Sequence, residues 1–305
     1  MAQHRTPRTP AGRKALAGRV AVAVAVLAAL AVWQWNPALA WFNDRGAAHR
    51  TAEFTIAQAA TPSARQDAQL AAAQRYNAWL AAGGAGTLGH ELHELGAADE
   101  TTPEYRRYQE LLSVDGTPLM ADVAVGSIGT RVPVVHGTSP AALETSAGHL
   151  YGTSLPVGGP SSHAVIAAHS GWNRATLFNR LSQVEIGDVF TIAVMGRQLA
   201  YEVVAITPVR ATESTDLIGI EEGKDLVTLT TCFPTYVNTH RLLVRGERTA
   251  DPAPDPGRAL AHTAGAHPGF PWWAAITGGG SAGVMALALW PTRRTTTPNY
   301  HGRHL

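Results

Sequence analysis

Between residues 120 and 244 the chain is a succession of short β-type runs, and this restricts the possible folds more than any other feature. The runs are 120–125, 132–135, 164–169, 189–195, 199–206, 226–232 and 239–244. Turn signals separate them, among them Ser127-Ile128-Gly129, Gly158-Gly159-Pro160, Gly187-Asp188 and Met195-Gly196-Arg197. Strands this short and this regularly spaced, with brief helical inserts such as 175–181, predict an all-β closed barrel or sandwich. Ahead of them, Ser63 is placed to cap a helix over 64–82, with Leu70, Tyr76 and Leu80 near one face and Gly83-Gly84 as its stop. The stretch 81–103 is rich in Gly, Ala and acids, has no period, and reads as a loop.

Both ends of the chain are apolar. Val20 to Trp33 is fourteen apolar residues without a break, extended with polar interruptions to Trp41. That is short of the ~20 residues a span needs. Two assignments follow: an uncleaved anchor over 20–41, with Trp33, Trp35 and Trp41 as interfacial aromatics, or a signal peptide cleaved after Ala38-Leu39-Ala40. The anchor is the assignment adopted. Residues 269–291 form a second stretch, long enough to span, uncharged, and followed by Arg293-Arg294. A small-residue run, Gly278-Gly279-Gly280, suits close packing of membrane helices.

Charge gives the direction. All 23 acidic residues lie between Asp44 and Asp255, a span that holds 15 of the 24 Lys and Arg, so it carries −8 (15 − 23). The first nineteen residues hold five basic groups and no acid, and the tail holds Arg293, Arg294 and Arg303. Basic ends around an acidic middle argue against nucleic acid as a partner. They predict a basic cytoplasmic tail (1–19, without fixed structure), an anchor (20–41), an extracytoplasmic helix and possible lid loop (42–104), a catalytic barrel (105–250), a linker (251–268), a second span (269–291) and a second cytoplasmic tail (292–305).

One short segment carries chemistry. Thr228-Leu229-Thr230-Thr231-Cys232 ends a strand with the only cysteine of the chain, and Asn238-Thr239-His240-Arg241 opens the next. Alternation puts Thr228, Thr230 and Cys232 on one face. If residues 233–238 form the turn, Cys232 faces Thr239 and Arg241 faces Thr230, diagonal to the thiol at ~7–8 Å. A slip by one residue would send Arg241 to the other face. Positive charge and a base both activate a thiol. The candidate bases in the strand region are His136, His149, His163, His169 and His240. His169 differs in ending an apolar strand and opening a Ser-Gly loop, where catalytic groups are displayed. The acids Glu221, Glu222 and Asp225 around Gly223 read as a solvated turn, and no metal or cofactor is required.

The Thr228 to Cys232 segment resembles the active-site signature of sortases, the surface transpeptidases of Gram-positive bacteria, and the resemblance extends over roughly residues 105–250. Arg131 to Ser139 resembles an early barrel strand of that family. Gly148 to Pro156 and His163 to Gly171 resemble the stretch carrying its catalytic histidine, here His169. Asn238 to Gly246 resembles the arginine strand of class C, the pilus-building sortases, in which a tail membrane span is also typical. The resemblance implies a closed barrel of about eight strands with short helical inserts, an N-terminal helix and flanking transmembrane segments. It also implies a peptidase-type thiol enzyme in which Cys232 attacks a Leu-Pro-x-Thr-Gly-like sorting signal. His169 would serve as acid and base, Arg241 would stabilise the carbonyl oxygen, and Thr231 would contact substrate. Its partners would be surface or pilin proteins, an amine from pilin or the peptidoglycan cross-bridge, and the lipid bilayer. The Asp-Pro-aromatic lid motif usual in class C is missing upstream of the barrel; the only Asp-Pro pairs are Asp251-Pro252 and Asp255-Pro256. Two other readings of the same residues are a cysteine peptidase that only hydrolyses and an inactive membrane-tethered scaffold.

Overall fold

Apolar residues at every second position of the strands line one interior. Ala121, Val123 and Val125, then Ala164 and Ile166, Val227 and Leu229, Leu242 and Val244 all belong to a single buried cluster. The computed structural model describes residues 10–84, 101–171, 175–210, 213, 217–235, 237–249 and 269–290. Eight strands close around that interior: β1 (Leu119–Val125), β2 (Thr130–His136), β3 (Ala147–His149), β4 (Ser162–Ala167), β5 (Val189–Val194), β6 (Arg197–Arg210), β7 (Asp225–Phe233) and β8 (His240–Arg248). The barrel order is β1-β2-β3-β4-β7-β8-β6-β5. The β2–β3 and β4–β7 pairs are parallel and the others antiparallel. Closure leaves no sheet edge to cover.

Local chemistry explains the tight connections. Met195 and Gly196 both have positive φ, at 42° and 72°, and join β5 to β6 as a two-residue hairpin with Val194 facing Arg197. That is the geometry whose twist matches the flanking strands. Two expectations are corrected here. Residues 175–181 are turns followed by a single 3-10 turn, Leu181–Gln183, because Leu177 and Phe178 are drawn into the core instead of continuing a helix. The three-residue β3 was not anticipated, being too short to show a period.

Helices cover the barrel. α1 (Pro10–Ala60) runs through Pro37 and starts well inside the tail expected to lack structure. α2 (Ser63–Ala81) follows, with Pro62 at its N-cap position in place of the expected Ser63 and no side-chain cap; Gly83, at φ 85°, ends it. Asn77 of α2 clamps one backbone residue of the barrel, accepting from Leu155 N–H at 2.7 Å and donating to its carbonyl at 2.9 Å. α3 (Pro103–Glu110) is capped by Thr102, whose hydroxyl accepts the Tyr105 N–H, and turns Tyr105 and Tyr108 inward. A four-residue helix, α4 (Pro140–Leu143), precedes β3. Residues 85–100 of the expected lid loop and 251–268 of the expected linker lie outside the described residues.

The described residues fall into two compact units. One draws on Met1–Ala38 and Pro271–Leu305, the other is Leu39–Phe270. In the first, Arg19 donates to the carbonyls of Leu287 and Trp290, at the C-terminal end of α5 (Trp272–Leu289). A cation there complements the helix dipole. Val22, Val24, Val32 and Trp33 are exposed. Two helical stretches, Leu16–Ala60 and Trp272–Leu289, are long and apolar enough to cross a membrane, with mean hydropathies of 2.2 and 1.2.

Inside the second unit a buried polar knot ties α3 to β3. The Tyr108 hydroxyl accepts the Gly137 N–H at 3.1 Å and lies 2.8 Å from His149 Nδ1, while His149 Nε2 lies 2.8 Å from the Ser154 carbonyl. The Ser154 carbonyl can only accept, so Nε2 carries a proton and donates to it. Complete burial pushes the His149 pKa down from 6.5 to about 4. A base depressed in the folded state contributes stability that is present above its unfolded pKa and lost as pH falls toward the folded one. Buried Asp122, raised to about 6, works in the opposite direction. Denaturation of the detergent-solubilised chain between pH 7 and pH 4 should therefore show a His149 contribution on the order of 3 kcal/mol lost on acidification. In His149→Gln that part of the fall should disappear.

Candidate active site

The β7–β8 connection decides which side chains meet. Pro234 has no N–H and ends the ladder at Phe233, which precedes it through a cis peptide bond. Val237 and Asn238 N–H both donate to the Pro234 carbonyl at 2.9 Å, and Asn238 sits at φ 60°, in the left-handed region Asn tolerates. The six-residue turn is thus 234–239, one residue later than expected, so Phe233 faces His240 and Cys232 faces Arg241. The expected pairing of Cys232 with Thr239 is two residues out. An even slip keeps every side chain on its face, so Arg241 becomes a direct cross-strand neighbour of the thiol, at ~4.5–5.5 Å between Cβ atoms.

The parallel β4–β7 ladder sets the third position. Ala167 pairs with Thr230, the Ala168 N–H donates to the Thr230 carbonyl at 3.1 Å, and the Thr231 hydroxyl donates to the Ala168 carbonyl at 2.7 Å. His169 follows two residues after the last β4 rung, and Cys232 two residues after its β7 partner Thr230. The strand itself stops at Ala167, so His169 lies in the following loop, not within β4. That loop is tied down on two sides. The Ser170 hydroxyl donates to the Cys232 carbonyl, and the Phe178 N–H donates to the His169 carbonyl at 3.1 Å. His169, Cys232 and Arg241 therefore form a row across the loop after β4, β7 and β8, each of them half-buried.

The remaining histidines are occupied elsewhere. His136 Nε2 lies 2.7 Å from the Leu111 carbonyl. His163 bridges the Gly219 carbonyl and the Thr228 hydroxyl, each at 2.8 Å. His149 is buried in the knot described above, and His240 lies beside the Thr239 hydroxyl at 2.9 Å. His169 has its pKa lowered by burial and then by the Arg241 charge, which favours the neutral imidazole.

Thr231 sits on the face opposite Cys232. It is 5% exposed and its hydroxyl is given to Ala168, so its contact is with the histidine strand. Two features below the row were not read from the sequence. Ile218 packs with Leu150 and Val165 over the sheet, and Glu221 accepts from Arg245, so the 217–224 segment is held against the same face. The residues read as a solvated acidic turn are partly committed in this way, with Asp225 accepting from Gly159 N–H and the Tyr201 hydroxyl. Among the described residues, no three His, Cys, Asp or Glu side chains group as a metal site.

Comparison with known proteins fits this arrangement. A family model described as Sortase domain matches residues 123–249. The structure of sortase C-1 from Actinomyces oris is 40% identical, covers 61% of this chain and 98% of its own, and superposes with a TM-score of 0.54. Sortase A from Corynebacterium diphtheriae is 36% identical, covers 70% and 97%, and gives 0.60. Sortase C1 from Streptococcus agalactiae, in complex with MTSET, is 35% identical, covers 66% and 96%, and gives 0.57. Sortase D of Bacillus subtilis (strain 168) is 28% identical over 127 residues, 41% of this chain. The chain spans 61% of the length of that curated relative. The closed eight-stranded barrel is the fold of those sortase structures. The chain belongs to the sortase family, and its structural neighbours include class C members.

The electrostatic coupling within the row is open to measurement. In Arg241→Gln the imidazole of His169 should titrate at a higher pH than in the unsubstituted chain, read from its side-chain NMR signals. An unchanged midpoint would mean that the guanidinium does not act on the ring.

Proposed function

We propose that the protein is a membrane-anchored cysteine transpeptidase that cleaves a Leu-Pro-x-Thr-Gly-like sorting signal and transfers the acyl product to an amine. The observation that carries this reading is the direct β7–β8 pairing of Cys232 with Arg241, beside the loop after β4 that carries His169 and is tied to the Cys232 carbonyl through Ser170. His169, kept neutral by burial and Arg241, takes the thiol proton of Cys232. The thiolate attacks the Thr carbonyl carbon of the substrate, and the oxyanion that forms accepts hydrogen bonds from Arg241. The Nε of Arg241 is buried and has no acceptor among the described residues, a donor left open for such an oxygen. His169 returns its proton to the leaving Gly amine as the C–N bond breaks, leaving a thioester on Cys232. An incoming amine, from a pilin lysine or a peptidoglycan cross-bridge, gives up a proton to His169 and attacks the thioester. The amide forms and the thiol is restored. Thr231 acts through the histidine strand, by holding the Ala168 carbonyl.

The two apolar helical stretches support an anchor at each end, and the charge distribution supports an extracytoplasmic barrel with both termini cytoplasmic. Pilin polymerisation is the favoured outcome over cell-wall anchoring because of the class C likeness.

Incubating the detergent-solubilised chain with a sorting-signal peptide should give a covalent adduct, detected by mass spectrometry, that Cys232→Ala abolishes. Added amine should convert acid product to amide. Arg241→Ala should lower the rate of adduct formation by about 10²–10³-fold, and His169→Ala by about 10²–10⁴-fold. A folded chain that forms no adduct would sink the reading. Acid product alone at high amine concentration would leave a hydrolase.

A further inference from the structure

The loop that carries His169 is fastened at its far end by a residue of α1. Asp44 accepts two hydrogen bonds from one residue, its Oδ1 from the Thr176 N–H at 2.8 Å and its Oδ2 from the Thr176 hydroxyl. Thr176 opens a tight turn closed by the Asn179 N–H on the Thr176 carbonyl at 2.9 Å. Within that turn Leu177 is held at φ 36°, a left-handed conformation that a γ-branched residue adopts only at a cost. Its side chain and that of Phe178 are buried in the barrel core, which fixes the turn from below. The Phe178 N–H then donates to the carbonyl of His169 itself. A strained turn persists only where its surroundings over-determine it. Here the two restraints are the buried Leu177–Phe178 pair and the carboxylate of Asp44.

From these contacts we propose that Asp44 is a positioning residue for the His169 loop, so that α1 is a working part of the catalytic unit as well as the helix that carries the N-terminal apolar run. This rests on the reading of His169 as the acid and base. The path is short: hydrogen bonds from Thr176 to Asp44, two residues of backbone from Thr176 to Phe178, and a hydrogen bond from Phe178 N–H to the His169 carbonyl. A bond to a charged group is among the stronger hydrogen bonds. Both of its acceptor oxygens are used on a single residue, which fixes orientation as well as distance. His169 stands beyond the end of β4, so the ladder that aligns Cys232 and Arg241 does not hold it. Its placement depends on the loop contacts, and displacements of an ångström at such a group cost up to ~10²-fold in rate.

The test uses the full-length chain in detergent micelles, with a sorting-signal peptide, an amine acceptor and kcat and KM measured separately. The unsubstituted chain must turn over and His169→Ala must not; if His169→Ala retains full activity, the parent reading fails before Asp44 is considered. Given that, Asp44→Ala should lower kcat about tenfold, with KM for the peptide unchanged, since the proposed defect lies in proton transfer and not in peptide binding. Asp44→Asn keeps an oxygen acceptor for the Thr176 N–H and can donate to the Thr176 hydroxyl, and should restore kcat to within about threefold. Thr176→Val removes only the hydroxyl and should fall between them. A merely structural role would lower the melting temperature while leaving kcat of the folded chain intact, and that result would overturn the proposal. So would a rise in KM at constant kcat, or equal losses in Asp44→Ala and Asp44→Asn, which would make charge and not the clasp the operative feature.

Discussion

The pairing of β7 with its two neighbours is the constraint on which the rest of the structure depends. An antiparallel ladder to β8 pairs Cys232 with Arg241, and a parallel ladder to β4 ends two residues before His169, so that a thiol and a guanidinium from distant parts of the chain face each other and the loop carrying the imidazole starts beside them. Neither ladder tolerates a one-residue slip, because each also places apolar residues into the closed interior. Val227, Leu229, Leu242 and Val244 would all turn outward if it did. Core packing therefore enforces the geometry of the site. Conversely, the even register difference between the expected and observed β7–β8 pairing leaves the buried pattern intact, which is why pattern alone does not distinguish the two.

The fold treats its histidines in two ways. His136 and His149 are given to backbone carbonyls, and His163 to a carbonyl and a threonine hydroxyl, with burial lowering all three pKa values. They behave as hydrogen-bonded parts of the core and of the surface segments it holds. His169 is less buried and sits past the last rung of β4, beside the Arg241 charge. Its proton affinity is lowered first by burial and then by a neighbour that the β7–β8 register supplies. The same register leaves Arg241 Nε without an acceptor among the described residues. The row thus combines an imidazole kept neutral with a buried guanidinium Nε that has no acceptor among the described residues.

Much of the barrel was legible because its strands are short, β-rich and punctuated by glycine and proline. Met195-Gly196-Arg197 is an example: it reads as a turn, and the structure makes it the tight connection of β5 to β6. β3 was not legible, since three residues between a short helix and a loop carry no period. Nor was the 175–181 segment, whose helical pattern gave way when Leu177 and Phe178 were claimed by the core. In the site, the residue types could be named from the Thr228 to Cys232 and Asn238 to Arg241 segments. The level row could not, because it depends on where a six-residue turn begins. The contact between Asp44 and Thr176 had no signal at all, being a surface hydrogen bond between residues 132 apart.

By itself the sequence determined an all-β barrel or sandwich, two apolar ends and a single nucleophilic sulfur at a strand terminus, because periodicity, hydropathy and residue chemistry are local properties written along the chain. Tertiary structure alone decided that Cys232 faces Arg241 directly, that His169 stands off its strand in a loop held from both sides, and that the Thr231 hydroxyl turns away from the thiol. Those outcomes come from long-range pairing, where burying one face of each strand selects a register and the register selects the neighbours.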